Sequence, residues 1–237
     1  DKVDKIYCAP GNAGIAEYAE CVDIGAMEFE KLAAFAKENA VDLTIIGMDD
    51  PLVGGIVDVF EAEGLRVFGP RKNAAIIEGS KAFSKDLMKK YNIPTAAYES
   101  STDREAAIAY VKEQGAPIVI KEDGLKAGKG VTVAQTLEEA IEALTAAFAQ
   151  DGGKVVIEEC LSGFEFSLIC LVCGEIVVPL EIAQDHKRAY DGDKGPNTGG
   201  MGVYSPVRRI TPAIIEETME RVMRPMAKAM LAEGVPF

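Results

Sequence analysis

The sequence predicts an α/β protein in which a doubly wound parallel-sheet unit precedes α+β units. Three observations predict it. Short apolar runs alternate with helical segments as far as Pro70. A helix stop at Asn92-Ile93-Pro94 opens a stretch with a different order of strands and helices. With 237 residues, 48% of them hydrophobic, the chain can furnish more than one core.

Within residues 1–76, KIYC, LTIIG and LRVF read as strands, and FEKLAAFAKENA and PLVGGIVDVFEAEG as helices between them. LTIIG and LRVF are apolar on both faces, as parallel strands covered by helices must be. Such sheets place ligands beyond the carboxyl ends of their strands, so the loops at Gly11 to Gly14 and Gly47 to Pro51 are candidate contacts. A helix from Ser80 to Tyr91 follows. Residues 98–166 form a small lobe, with helices opening at Thr102 and Thr136, each followed three residues on by a glutamate (Glu105, Glu139) in the pattern of a capping box. Its strands are PIVIK, VTVA and KVVIEE. Residues 77–97 and 167–237 make the other lobe. There EFSLICLVC and EIVVPLEIA read as strands about a turn at Gly174, a long loop runs from Gln184 to Pro206, and a helix starts at Thr211 with Pro212 in its first turn.

An excess of 38 acidic over 25 basic residues gives a net charge of −13, which repels nucleic-acid backbones and anionic lipid at long range. Small anionic ligands are not excluded, because a few lysines and backbone amides outweigh a distant net charge. Cys170 and Cys173 make the one CxxC pair, but on a strand positions three apart face opposite sides, so the five cysteines are expected to be reduced core thiols. No stretch reaches the roughly 18 apolar residues of a membrane span, and DKVDKIYC lacks the plan of a signal peptide. A cytoplasmic monomer is expected, with both ends of the chain cut.

The most informative local feature is IVIKEDGLKAGKGVTVA, in which a strand ending in Lys121 runs into a loop with Asp123, Gly124, Lys126, Gly128, Lys129 and Gly130, and then into a second strand. Glycines let a backbone fold closely over a ligand, and exposed amides with lysines suit phosphate oxygens. It is not a Walker loop, since the glycine spacing differs and a strand follows where a helix should. Upstream stands Gly79-Ser80-Lys81 at a helix start, and downstream VVIEECLSGFEF offers Glu158, Glu159, a connector through Cys160 and Leu161, and Glu165. An extended connector can read an adenine edge, and a carboxylate can accept from ribose hydroxyls.

These segments, in this order, resemble the ATP-grasp superfamily, whose nucleotide lies between two α+β lobes; here the last lobe is incomplete. The resemblance implies that Lys81 and Lys121 contact ATP phosphates, that Asp123 to Gly130 is a closing flap, that Glu158 to Leu161 is the adenine hinge and that Glu165 grips the ribose. AQDHKRAYDGDKGPNTGGMGVYSP, together with PGNAG, DLTIIGMDDPLVGGIVD, GLRVFGP and EGSKAFSKD, resembles the phosphoribosylamine-glycine ligases over nearly the whole chain. That family implies ATP, Mg²⁺ or Mn²⁺, glycine and 5-phosphoribosylamine as ligands, and a glycyl phosphate intermediate. It also implies catalytic roles for Lys121, Lys187 and Arg188, and substrate contacts at Gly11, Asn12, Asp49, Asp185, Lys187, Asn197, Thr198, Gly199 and Met201. His186 in this loop could serve acid-base chemistry or position its neighbours. Met48-Asp49 stands where the family usually has Pro-Glu, which shortens a carboxylate by one methylene. The family's magnesium ligands, in its EFNARFGDPE segment, are expected beyond Phe237. Two rival readings are a different ATP-grasp ligase, such as a purine-pathway carboxylase or transformylase, and a non-catalytic nucleotide-binding module.

Overall fold

The computed structural model describes residues 2–125, 130–149, 152–192 and 194–237, with the backbone alone at 194, 196 and 197. The chain divides into two compact units, Asp1–Ile76 and Ile77–Phe237.

The first unit contains β1 (Tyr7–Cys8), β2 (Glu20–Cys21), α1 (Phe29–Glu38), β3 (Thr44–Ile45), α2 (Asp49–Gly54), α3 (Ile56–Ala62) and β4 (Val67–Phe68). Its strands pair in parallel, β1 with β2 and β3 with β4. Ala33 and Ala36 of α1 and Ile56, Val57 and Phe60 of α3 are buried together, packed by Leu32, Ile46, Leu52 and Leu65. The single helix expected from Pro51 to Gly64 is two helices. Gly55 takes φ +100°, a left-handed conformation that favours glycine, and its amide closes α2 onto the carbonyls of Pro51 and Leu52, each at 3.0 Å.

The unit boundary falls within α4 (Lys72–Gly79), which α5 (Lys81–Lys90) follows. Ser80 caps α5 by accepting the Phe83 amide at 3.2 Å. Next come β5 (Tyr98–Ser101), α6 (Arg104–Gln114), β6 (Ile118–Glu122), β7 (Val131–Ala134), α7 (Leu137–Ala147) and β8 (Val155–Glu159). The strands form one antiparallel sheet in the order β5-β8-β6-β7. Alternation of side chains along β6 and β8 then sorts the sheet into two faces. Ile118, Ile120, Val155 and Ile157 are buried under Ala107, Ile108 and Val111 of α6 and Ala140, Leu144 and Ala147 of α7. Val119, Lys121, Val156 and Glu158 must therefore point to the opposite face. Half of the box expected at Thr136 forms: its hydroxyl accepts the Glu139 amide, but the Glu139 carboxylate accepts the amide of Gln135, one residue before the cap, instead of that of Thr136. At the other helix the cap is Asp103, not Thr102, because its carboxylate reaches the Ala106 amide at 2.9 Å.

The rest of the chain is less regular than the apolar runs suggest. β9 (Cys170–Cys173) and β10 (Ile176–Pro179) form a short hairpin about Gly174. The segment from Gln184 to Pro206 is not an unstructured loop but a pair of ladders: β11 (Gln184–Asp185), β12 (Arg188–Tyr190), β13 (Lys194–Asn197) and β14 (Val203–Tyr204), with β11 against β14 and β12 against β13. α8 (Pro212–Thr218) is capped by Thr211 and leads through a π-helical turn at Met219–Met223 into α9 (Arg224–Ala232). All five cysteines are free, but Cys21 and Cys173 are exposed and the other three only partly buried, so they are not the core thiols expected. Burial raises the pKa of the Cys170 thiol. Among the described residues no helix is long and apolar enough to cross a membrane.

Candidate functional site

The sheet face left free by α6 and α7 is where the polar residues gather. A cavity of about 440 Å³ is lined there by Lys81, Ser84, Lys85 and Met88 of α5, by Lys121 of β6, by Glu158 of β8, and by Glu78, Thr95 and Leu161 among others. Lys121 and Glu158 meet because β6 and β8 are register neighbours: Lys121 lies opposite Val156, and Val119 opposite Glu158. Same-face positions two residues apart are diagonal partners.

Glu158 is the centre of the arrangement. One carboxylate oxygen lies 2.9 Å from Lys121 Nζ and the other 3.0 Å from Lys85 Nζ. Its side chain is only 7% exposed and that of Lys85 9%, whereas Lys121 is 28% exposed. Lys85 also donates to Thr95 Oγ1 at 2.7 Å and to the Ala96 carbonyl at 3.3 Å, so all three of its donors have partners. A buried ion pair persists only with such complete satisfaction.

Lys85 is the residue that sequence reasoning missed. The signal was present: Ala82 and Lys85 are three apart on one helix face, and both are buried, so a lysine sits in what should be an apolar stripe. Lys81, which was expected at the phosphates, lines the same cavity, and its ammonium donates to the Gly124 carbonyl at 2.6 Å.

The root of the glycine hairpin is tied to the start of α5. Asp123 accepts from the Ser80 hydroxyl at 3.1 Å and the Ala82 amide at 3.2 Å, and pairs with Lys154 at 3.1 Å. Burial alone would raise its pKa, but Lys154, the amide and the hydroxyl outweigh that and hold it below the ordinary carboxylate value. Gly130 is buried and accepts the Glu122 amide. Lys126, Gly128 and Lys129 lie outside the described residues.

Of the expected hinge, Leu161 lines the cavity, Cys160 is half-buried, and exposed Glu159 accepts the Ala97 amide at 2.8 Å. Glu165 is exposed and does not line the cavity; one of its oxygens lies 3.9 Å from Lys187 Nζ. In the double ladder, Lys187 bonds Asp185 at 2.7 Å, which raises the lysine pKa and lowers that of the carboxylate. Arg188 donates to the Gly195 carbonyl at 2.8 Å, and Thr198 donates to the Lys187 carbonyl at 2.9 Å. Gly199 and Met201 are exposed, and the Asn197 backbone pairs with Arg188, its side chain lying outside the described set. His186 stacks on Tyr204 with ring centroids 5.8 Å apart.

In the N-terminal unit, Gly11 and Asn12 follow β1, and the Asn12 carboxamide accepts the Ile15 amide at 3.0 Å. Asp49 is exposed in the first turn of α2. Among the described residues no three His, Cys, Asp or Glu side chains are grouped to hold a metal ion.

The lysine-lined cavity on one face of an antiparallel sheet belongs to an ATP-grasp protein, the class shown by the domain profile that matches the second unit. The profile for the phosphoribosylglycinamide synthetase N domain matches residues 1–78, and that for the ATP-grasp (A) domain of the same synthetase matches residues 79–237. The chain belongs to the phosphoribosylglycinamide synthetase family. It is 53% identical over 242 residues to the phosphoribosylamine–glycine ligase of Halalkalibacterium halodurans, covering 100% of this chain and 56% of that one. The ligase of Brucella melitensis is 50% identical over 239 residues, covering 99% and 56%. The crystal structure of the Thermotoga maritima phosphoribosylamine–glycine ligase matches with a TM-score of 0.81 at 34% identity, covering 98% of this chain and 56% of that one. The chain thus spans little more than half the length of these relatives.

Proposed function

We propose that this chain forms the N-terminal and ATP-grasp part of an enzyme that ligates glycine to 5-phosphoribosylamine, with ATP converted to ADP and phosphate. Family membership supports the reaction, and one observation supports the site: Lys81, Lys85 and Lys121 line a single cavity around the buried Glu158. In this reading the triphosphate enters the cavity. Lys121 and Lys81 have donors that a phosphate can take over, while Lys85 keeps its three partners and contributes fixed positive charge. Leu161 and the adjoining main chain face the adenine.

ATP phosphorylates the glycine carboxylate, and the amine of phosphoribosylamine then displaces phosphate from the acyl phosphate. Little covalent work falls to side chains; positioning, charge neutralisation and exclusion of water carry the catalysis. Gly11, Asn12 and Asp49 of the N-terminal unit, and Asp185, Lys187, Arg188, Asn197, Thr198, Gly199 and Met201 of the second unit, are the proposed substrate contacts. A divalent cation, Mg²⁺ or Mn²⁺, would neutralise phosphate charge when bound. The proposed compartment is the cytoplasm and the proposed state a monomer.

Two measurements test this. Calorimetric titration of the chain with Mg-ATP should give binding that Lys121→Ala weakens. The full-length protein should release ADP only when glycine and phosphoribosylamine are both present. ADP release that needs bicarbonate or formate instead of glycine would reassign the substrate.

A further inference from the structure

Cys8 and Cys21 are register partners in the parallel pair β1 and β2. Their neighbours fix which face they share. Tyr7 packs edge-on against Phe35, with centroids 5.1 Å apart, and its register partner Glu20 pairs with Lys5, which itself lies over the Tyr7 ring. Alternation along a strand then places both cysteines on the opposite face. There the Cys21 thiol donates to the Asn12 carbonyl at 3.5 Å and lies under Gly11. Cys21 is exposed and Cys8 half-buried.

We propose that Cys8 and Cys21 are a reversible redox pair, oxidised to a disulfide by a low-molecular-weight disulfide such as oxidised glutathione. Adjacent strands lie about 4.8 Å apart, inside the roughly 4.4–6.8 Å Cα range of disulfides. The exposed Cys21 thiolate attacks the small disulfide, forming a mixed disulfide and releasing one thiolate. The Cys8 thiolate then attacks the Cys21 sulfur and releases the second. Both protein protons end on the two released thiols, so two protein thiols and one small disulfide become one protein disulfide and two small thiols.

Parallel register partners hold their Cβ atoms near the strand spacing, wider than the roughly 3.8 Å a relaxed disulfide wants. The exposure of Cys21 keeps the bridge open to small thiols, which suits a switch better than a staple. Forming it also turns the Cys21 sulfur away from the Asn12 carbonyl and from Gly11, so the loop from Pro10 to Gly14 loses a contact. That loop carries two of the proposed substrate contacts, and this consequence for function rests on that reading.

The test needs no substrate, so its outcome is independent of what the loop binds. The chain is equilibrated at a series of reduced-to-oxidised glutathione ratios, quenched in acid, digested and mapped by mass spectrometry. The expected result is a linked peptide joining Cys8 to Cys21, lighter by two hydrogen atoms than its two parts, whose yield falls as the ratio rises. Cys8→Ser should instead trap glutathione on Cys21. Hydrogen exchange at the Ala16 amide, which donates to the Asn12 carbonyl at 3.0 Å, should quicken on bridging. The pair is overturned if wild-type Cys21 accumulates glutathione or stays a free thiol without a linked species, or links to Cys160, Cys170 or Cys173; unchanged exchange at Ala16 overturns the effect on the loop.

Discussion

Lys85 and Glu158 face each other at 3.0 Å with less than a tenth of either side chain exposed, and Lys121 completes the group from the strand beside Glu158. Glu158→Gln keeps the shape but leaves Lys85 charged and unpaired in the interior. Breaking a buried pair in this way costs about 3–5 kcal/mol. Urea denaturation of the variant should show that loss, and adding Lys85→Met should restore part of it. An unchanged midpoint in Glu158→Gln would mean that the pair contributes nothing to the fold.

Lys121 is the more accessible of the two lysines that grip Glu158. Removing a charge-assisted contact of this kind loses about 1.5–3 kcal/mol, or roughly 10- to 150-fold in affinity. Lys121→Ala should therefore weaken Mg-ATP binding by that factor in calorimetry while the chain stays folded. Affinity within twofold of wild type would place the triphosphate elsewhere.

Asp123 has a folded-state pKa below its ordinary value, so it binds protons less readily folded than unfolded. Its contribution to stability is present above the ordinary carboxylate pKa and is lost as pH falls through the depressed folded value. Asp123→Asn should be less stable at neutral pH and should show a shallower loss on acidification. Stability curves from pH 7 to pH 3 with the same slope for both proteins would contradict this.

Gly11 has φ +76°, and a Cβ built there would lie 2.4 Å from the Cys21 sulfur. Gly11→Ala should destabilise the N-terminal unit by about 1–2 kcal/mol from the backbone, with about 1–3 kcal/mol more from overpacking. Adding Cys21→Ala should relieve the second part only. Thermal melts of the single and double variants separate the two contributions.

The α/β character and the order of units were legible in the sequence because apolar periodicity is a strong local signal. Thr136 was legible for the same kind of reason, its glutamate three residues on leaving little choice. Asp103 was not, since two adjacent residues could both cap and the carboxylate proved better placed than the Thr102 hydroxyl. The ladders at Gln184–Asp185 and Arg188–Tyr190 carry no apolar alternation, so nothing local distinguishes them from loop. Lys121 stood out because it ends an apolar strand before glycines. Lys85 did not, because its role depends on a carboxylate seventy-odd positions away, which only tertiary structure brings beside it.

Asp123 serves two masters, closing the amino end of α5 while holding the first strand of the glycine hairpin. Swinging the hairpin as a rigid arm from β6 would strip the helix of that acceptor and leave Lys154 without its counter-ion. Asp123 therefore fixes the root of the hairpin to α5 and to Lys154, and Lys81 secures the next residue through the Gly124 carbonyl.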